Sequence, residues 1–304
     1  MVVKRLLMED LNVMVDHFIK KYSENKLLSI DFNSEEVLKH CEYILNKGFS
    51  YCVYDKGVPK GYLIGYKIDS LFFKEKGVYT PEFGFFCEGN NLNYHNILIK
   101  TLFEDMKKEG YTHHAITLMK PNMDNEFIDN GYGKRLVDVA RFVEISDKPE
   151  KNIIMKKANI NDFDLLYPIY LEFTTYMSSS PIFLEEENAK DELTQILSNS
   201  ESEIFMFYLN DSIIGFTTLS YKSAACSRFF KDKDTVAIKG THIKEDLQNK
   251  GYGKRILTLI DEYCINHNYK KQSTDFESLN YKANLFWPKH FKVVANSYVR
   301  YIGK

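Results

Sequence analysis

The sequence predicts two tandem α/β (α+β) domains, each a mixed sheet flanked by helices, and three observations carry that prediction. The chain has 304 residues, more than one small core needs and enough for two domains. Its last third alternates strand-like and helix-like runs, which points to a layered α/β or α+β arrangement. The same order recurs in blurred form in the first half, at an offset where Phe127 falls on Phe286 (286 − 127 = 159) and Tyr132 on Phe291.

The elements of the last third follow from their punctuation. Residues 203–222 read as two strands around an Asn210-Asp211 turn, with Gly215 inside the second. Residues 234–243 form a third apolar-rich run, read as a buried strand. Ile256, Leu257, Ile260, Tyr263, Cys264 and His267 then recur at helical spacing, giving an amphipathic helix over 254–268. A short strand over 270–276, a short helix through "NYKANLFWPKH" and a closing strand through "VVANSYVRYI" complete the series. Upstream, polar residues around Asn161 cap a helix, and Glu185, Glu186 and Glu187 precede another. Acids there favour the positive end of the helix dipole, an explanation that outweighs recruitment of a cationic substrate.

In the first half, residues 51–68 repeat the strand, turn and interior glycine, Gly61 standing against Gly215. Residues 95–111 match the later helix, and "HHAITLM" the strand after it. His113 and His114 alternate in direction, so at most one faces any cleft, and no acid or cysteine beside them suggests a metal. The polar stretch 146–152, with Pro149, is the candidate linker, so the expected domains are 1–145 and 153–304.

Composition narrows the function classes. A net charge of −2, with lysines interspersed among acids, gives no reason to expect a nucleic acid or anionic membrane as partner. The five cysteines are odd in number, scattered and without C-x-x-C spacing, which argues against a disulfide framework and a zinc site. The first residues, "MVVKRLLMEDLN", carry charges where a signal peptide needs an apolar core, and no apolar run is of membrane-spanning length. A reduced, cytoplasmic setting is the expectation.

The chemistry concentrates in "HIKEDLQNKGYGKR", residues 242–255, which leaves a strand, turns through two glycines and enters a helix. Such a turn directs several free backbone N–H groups into one concavity, where the helix dipole adds partial positive charge. Glycine allows close approach of a phosphate and positive φ. Lys250, Lys254 and Arg255 surround the loop, which suits a diphosphate better than a metal ion. A Walker A loop is excluded, because Arg255 follows Gly253-Lys254 and no glycine stands five positions before Gly253. A dinucleotide fingerprint is excluded because its third glycine is Ile256. On these residues alone an ordinary strand-to-helix turn stays the default. The same pentapeptide, Gly-Tyr-Gly-Lys-Arg, also occurs at 131–135, but 120 residues away (251 − 131 = 120), out of register with the repeat; there its glycines are expected to serve only a turn.

The wider context resembles the GNAT superfamily of acetyl-CoA-dependent N-acetyltransferases. Gln248-x-x-Gly251-x-Gly253 after a strand is similar to that family's Q/R-x-x-G-x-G/A signature. "NYKANLFWPKHF", residues 280–291, resembles its N-x-x-A-x-x-F-[YW]-x-x-x-F segment. The resemblance covers roughly 153–303 and implies a mixed, mostly antiparallel twisted sheet. It further implies that Thr241, His242 and Ile243 offer backbone groups to the pantetheine arm of acetyl-CoA, the cosubstrate. The amides of Asn249, Lys250, Gly251, Tyr252, Gly253 and Lys254 would hold the pyrophosphate, with Gln248 orienting the loop. Asn280 would contact the cofactor or line its thiol end, Phe286 would pack beneath it, and Trp287 stands where the family places a tyrosine near the sulfur, although Asn280 could equally cap its helix and Phe286 belong to the core.

The family's tyrosine, which protonates the leaving thiolate, is replaced here by Trp287, and the strand "VAIKGTHI" has no acid. His242, Asp275 and Tyr298 are the substitutes the sequence offers, each with a structural alternative; Glu277 could join Asp275 in holding a cationic amine. Catalysis by positioning alone also stays open. In the first domain "GNNLNY", residues 89–94, stands where the motif would fall, so residues 1–145 resemble a degenerate copy that does not hold acetyl-CoA and would wall the acceptor cleft. The resemblance implies acetyl transfer to a primary amine of a small molecule or peptide, by direct attack in a ternary complex, since no cysteine aligns with an acyl-carrier position. A non-catalytic module that binds or senses CoA is the alternative.

Overall fold

The structure, a computed structural model, describes residues 1–23, 27, 34–72, 74–120, 124–144, 152–184, 188–199, 201–221 and 234–303. Residues 146–151 of the expected linker, the acidic run 185–187, Lys222 and Cys226 lie outside the described residues.

The first half runs β1 (Val2–Arg5), α1 (Met8–Tyr22), α2 (Ser34–Lys47), β2 (Phe49–Asp55), β3 (Val58–Phe72), β4 (Glu75–Thr80), β5 (Phe85–Cys87), α3 (Leu92–Lys108), β6 (His113–Met119), α4 (Asp124–Asp129) and β7 (Gly133–Phe142). The second half repeats the theme with β8 (Ile153–Lys157), α5 (Phe163–Ser178), α6 (Ala189–Ser198), β9 (Ser202–Leu209), β10 (Ser212–Ser220), β11 (Thr235–Ile243), α7 (Tyr252–Asn266), β12 (Lys271–Glu277), α8 (Tyr281–His290) and β13 (Lys292–Tyr301). The repeat register holds through its last strand, because β7 and β13 begin 159 residues apart (292 − 133 = 159). As the spacing predicts, α7 buries Ile256, Leu257, Ile260 and Cys264 along one stripe. Asn210 and Asp211 both have positive φ, the geometry of a tight hairpin turn between β9 and β10.

The chain divides into two compact units, Met1–Val137 with Val293–Lys304, and Asp138–Lys292. This division does not follow the expected 1–145 and 153–304, because the equivalent closing strands are exchanged. The first unit has strand order β1-β2-β3-β4-β6-β13, with β5 on β3. The second has β8-β9-β10-β11-β12-β7, in which β7 contributes its end from Asp138 onward. In each unit one pair is parallel, β4 with β6 and β11 with β12, and the other registered pairs are antiparallel. The mixed, mostly antiparallel sheet is therefore present twice.

Side chains explain where each closing strand settles. In the first unit β13 pairs with β6 from Ala295↔Met119 to Tyr301↔His113, and Tyr298 enters a core with Phe85, Leu98, Ile116, Phe127 and Tyr132. In the second, Arg141 at the end of β7 donates to Asp261 on α7 at 2.6 Å and to Gln272 on β12 at 2.9 Å. Gln272 in turn donates to the same Asp261 oxygen at 2.9 Å, closing a buried triangle. A charge buried this deeply needs such partners. Among the described residues no helix is long and apolar enough to cross a membrane.

Candidate active site

In the second unit the parallel pair β11 and β12 opens partway along. Its registered pairs end at Ala237↔Ser273, while β11 continues to Ile243. The opening coincides with a β-bulge: Thr217 faces Thr241 but Thr218 faces Lys239, so Gly240 is the extra residue, at φ +30°. Gly215 is required beside it, since a Cβ there would stand 2.5 Å from the carbonyl oxygen of His242. In the first unit the corresponding strand β4 ends at Thr80, which is still paired with Ile116, so no such opening forms.

Beyond β11 a single 3-10 turn, Glu245–Leu247, leads into the glycine loop. Asn249 and Gly251 take positive φ, +61° and +85°, and Gly251 sits at the N-cap of α7 with no side chain capping the helix. Among the described residues, no acceptor meets the backbone N–H groups of residues 249–254. Such a row of open donors at a helix N-terminus has the geometry to receive an anion. Gln248 bonds on both sides of the loop: its amide donates to the Ile243 carbonyl at 2.7 Å and accepts from Lys282 at 2.8 Å. The Ile243 carbonyl is thereby occupied. Thr241 bonds Thr217 through its hydroxyl at 2.8 Å.

Phe286 on α8 lies under the loop. A Cβ on Gly253 would approach its ring carbons to 2.9 and 3.2 Å. Gly253→Ala is therefore expected to destabilise the second unit by about 1–3 kcal/mol despite its helical location, measured by denaturant unfolding. Trp287 is buried against Phe286 and Phe291 at ring distances of 5.1 and 5.3 Å, a core role. Asn280 caps α8 by accepting from the Ala283 amide at 3.1 Å, and it also accepts from the Tyr176 hydroxyl at 2.9 Å.

The candidate proton acceptors separate. Tyr298 is a correction: the exchanged strand carries it into the first unit, fully buried and stacked on Phe127 at 6.4 Å. His242 and Asp275 share one face of the second sheet. His242 faces Phe216 across the β10–β11 pair, and both contact Phe173 of α5. Gln272 points to α7, so strand alternation turns Ser273, Asp275 and Glu277 to the opposite face, the one α5 covers. Burial holds the His242 imidazole below its usual pKa, against the opposing pull of Glu172, whose carboxylate lies 3.0 Å from Nε2. Burial pushes the Asp275 carboxyl up to about 6, with Lys239 working against it and Glu277 with it.

Sequence reasoning missed Glu172, Tyr176 and Lys282. The first two sit one turn apart in α5, polar positions in the apolar run "YLEFTTYM", and they reach His242 on β11 and Asn280 after β12. α5 thus touches both lips of the opening. Lys282 joins Gln248 to the Tyr176 ring, 4.6 Å below its ammonium, and no sequence pattern flags it.

The equivalent place in the first unit is filled. Asn91 caps α3, its side chain accepting from the Asn93 amide at 2.9 Å, so the helix N-terminus has its own acceptor. Thr80 and His114 bond at 3.0 Å where the second unit opens. The earlier Gly-Tyr-Gly-Lys-Arg sits between α4 and β7, with Gly131 at φ +79°: a turn only. A cavity of about 340 Å³ in this unit, lined by Glu75, Lys107 and Tyr111 among others, holds none of the loop residues. Among the described residues no group of side chains is arranged to hold a metal ion.

Comparison with known proteins agrees with this geometry. The acetyltransferase (GNAT) family model matches residues 164–291, less than half of the chain but all of the site described above. No curated protein matches the sequence. Among solved structures, a GCN5-related N-acetyltransferase from Sphaerobacter thermophilus aligns over 100% of this chain and 96% of its own, at 11% identity and TM-score 0.59. A tandem GNAT protein from the clavulanic acid biosynthesis pathway aligns over 100% of this chain and 99% of its own, at 10% identity and TM-score 0.51. At such identities the likeness shows the fold, and the family's fold supports acyl transfer. Residues 164–291 match the acetyltransferase (GNAT) family model, and the chain as a whole is similar in fold to tandem GNAT proteins, with the loop motif present in the second unit and absent from the first.

Proposed function

We propose that the second unit transfers an acetyl group from acetyl-CoA to a primary amine of a small molecule or peptide, by direct attack within a ternary complex. The open row of N–H groups at 249–254, beside a strand pair that parts after Ala237, carries this reading. The residues fit a pyrophosphate: the donors are unsatisfied, Gly251 leaves open space, and Lys250 and Lys254 add positive charge. Bound acetyl-CoA supplies the thioester.

The chain's own residues do the rest. The loop amides hold the anion, Gln248 and Lys282 fix the loop against α8, and Phe286 supports it from below. His242, kept neutral by burial, accepts the proton of the attacking amine, and Asp275 with Glu277 offers it a carboxylate. Cys264 bonds Gln272 at 3.4 Å in the core, and its thiol is pushed up to about 11 by burial, so it is no acyl carrier. The four described cysteines are free and buried, in keeping with a cytoplasmic setting.

The test is thiol release on incubation with acetyl-CoA and polyamines, amino acids, aminoglycosides or peptides. Release with at least one amine is expected. Tight CoA binding without release across all four classes would instead make the unit a CoA-binding module.

A further inference from the structure

We propose that Glu172 is the positioning residue of the site, a single carboxylate oxygen that fixes both the imidazole of His242 and the start of the phosphate loop. The inference rests on His242 as proton acceptor, the reading given above. Glu172 Oε1 accepts the backbone N–H of Glu245 at 2.7 Å and lies 3.0 Å from Nε2 of His242. Glu245 opens the turn that delivers Gln248 and the open amides. One atom therefore ties the end of β11 to the loop that follows it.

The rest of the ring's surroundings agree. Phe173 and Phe216 pack on it at centroid distances of 6.0 and 6.5 Å, so the carboxylate sets its remaining freedom. With Nε2–H donating to Glu172, the lone pair of the ring is on Nδ1. That atom has no protein partner among the described residues, and it is not one of the buried unpartnered atoms, so it reaches accessible space. A neutral imidazole held in this tautomer can take the amine proton at Nδ1 while its positive charge develops against Glu172. The charged groups facing the ring are Glu172 from α5, Glu245 from the turn and Lys282 from α8.

Glu172→Gln isolates the charge, because the amide oxygen can still accept from Glu245. Removing the carboxylate removes a stabiliser of the imidazolium, so the His242 pKa falls. By NMR the His242 titration is expected to move down by about one pH unit. The acid limb of kcat/KM should move down with it, and the plateau kcat should drop about tenfold as the base weakens. Acetyl-CoA affinity by calorimetry should stay within about threefold, whereas Glu172→Ala, which also loses the Glu245 bond, should weaken it about tenfold. An unmoved His242 titration in Glu172→Gln overturns the proposal, as does a Glu172→Ala variant that binds acetyl-CoA normally. Those two readouts need no turnover. Failure of the base reading shows separately, as full turnover in His242→Gln.

Discussion

Gly251→Asp is expected to remove acetyl-CoA binding while leaving the second unit folded. Gly251 lies at φ +85°, with no atom within 4 Å of the position a Cβ would take, so the new side chain meets no clash. The left-handed backbone costs about 1 kcal/mol for aspartate, which tolerates that region better than most residues. The effect on the ligand is much larger. A carboxylate placed at the N-cap would stand roughly 4 Å from a pyrophosphate oxygen. At an effective dielectric near 20, one pair of like charges at that range costs about 4 kcal/mol, or about a thousandfold in affinity. Calorimetric titration with acetyl-CoA, with a thermal melt alongside, reads both effects. Gly251→Asn provides the neutral control of similar shape and should keep most of the affinity. Equal losses in the two variants would show that shape, not charge, matters at this position, and unchanged affinity in both would refute the loop as the anion site.

The second large effect is acid lability of the first unit. His114 is fully buried, bonded to Thr80 and Tyr132, and burial lowers its pKa to about 3. His95 is fully buried between Phe85 and Phe127, with neither ring nitrogen partnered, and burial lowers its pKa to about 4. In the unfolded chain both titrate near 6.5. Between the two values the unfolded state binds more protons than the folded one, so stability falls as pH drops below about 6.5. Each histidine contributes a slope of about 1.4 kcal/mol per pH unit. From pH 6.5 to 4.5 the pair removes about 4 kcal/mol, close to the lower end of a typical domain's whole stability. Denaturant unfolding at pH 7.5, 6 and 4.5 should show this loss. His95→Phe, an aromatic among aromatics, should halve the slope and add about 1 kcal/mol at pH 7.5 by removing unsatisfied polar atoms. A slope unaltered in His95→Phe would exclude this histidine as its source.

Much of the second unit was legible in the sequence because its signals are local. Gln248, Gly251 and Gly253 sit within one turn, and the α7 stripe and the Asn210-Asp211 hairpin each depend on residues a few positions apart. Tyr298 was assigned to the wrong unit for a physical reason. β7 and β13 hold equivalent places in the repeat, and alternation along a strand says which face is buried, not which of two equivalent sheets receives it. Glu172 and Tyr176 went unseen because their meaning lies in contacts 70 and 104 residues away, with His242 and Asn280. Trp287 lies on α8 in a core role, and Asn280 precedes the helix as its cap, the alternative its sequence position already offered.

The exchange of closing strands also dictates a timetable. During synthesis β6 is complete at Met119, but its partner β13 starts only at Lys292, 173 residues later (292 − 119 = 173). At ribosomal speeds the wait is roughly ten to thirty seconds. Throughout that interval the first unit shows an unpaired strand edge and lacks Tyr298 in its core, the kind of surface that invites chaperones or aggregation. The second unit has no such delay, since its own last strand, the end of β7, has emerged before β8 begins. The half that comes later in the chain is thus the first whose sheet can close.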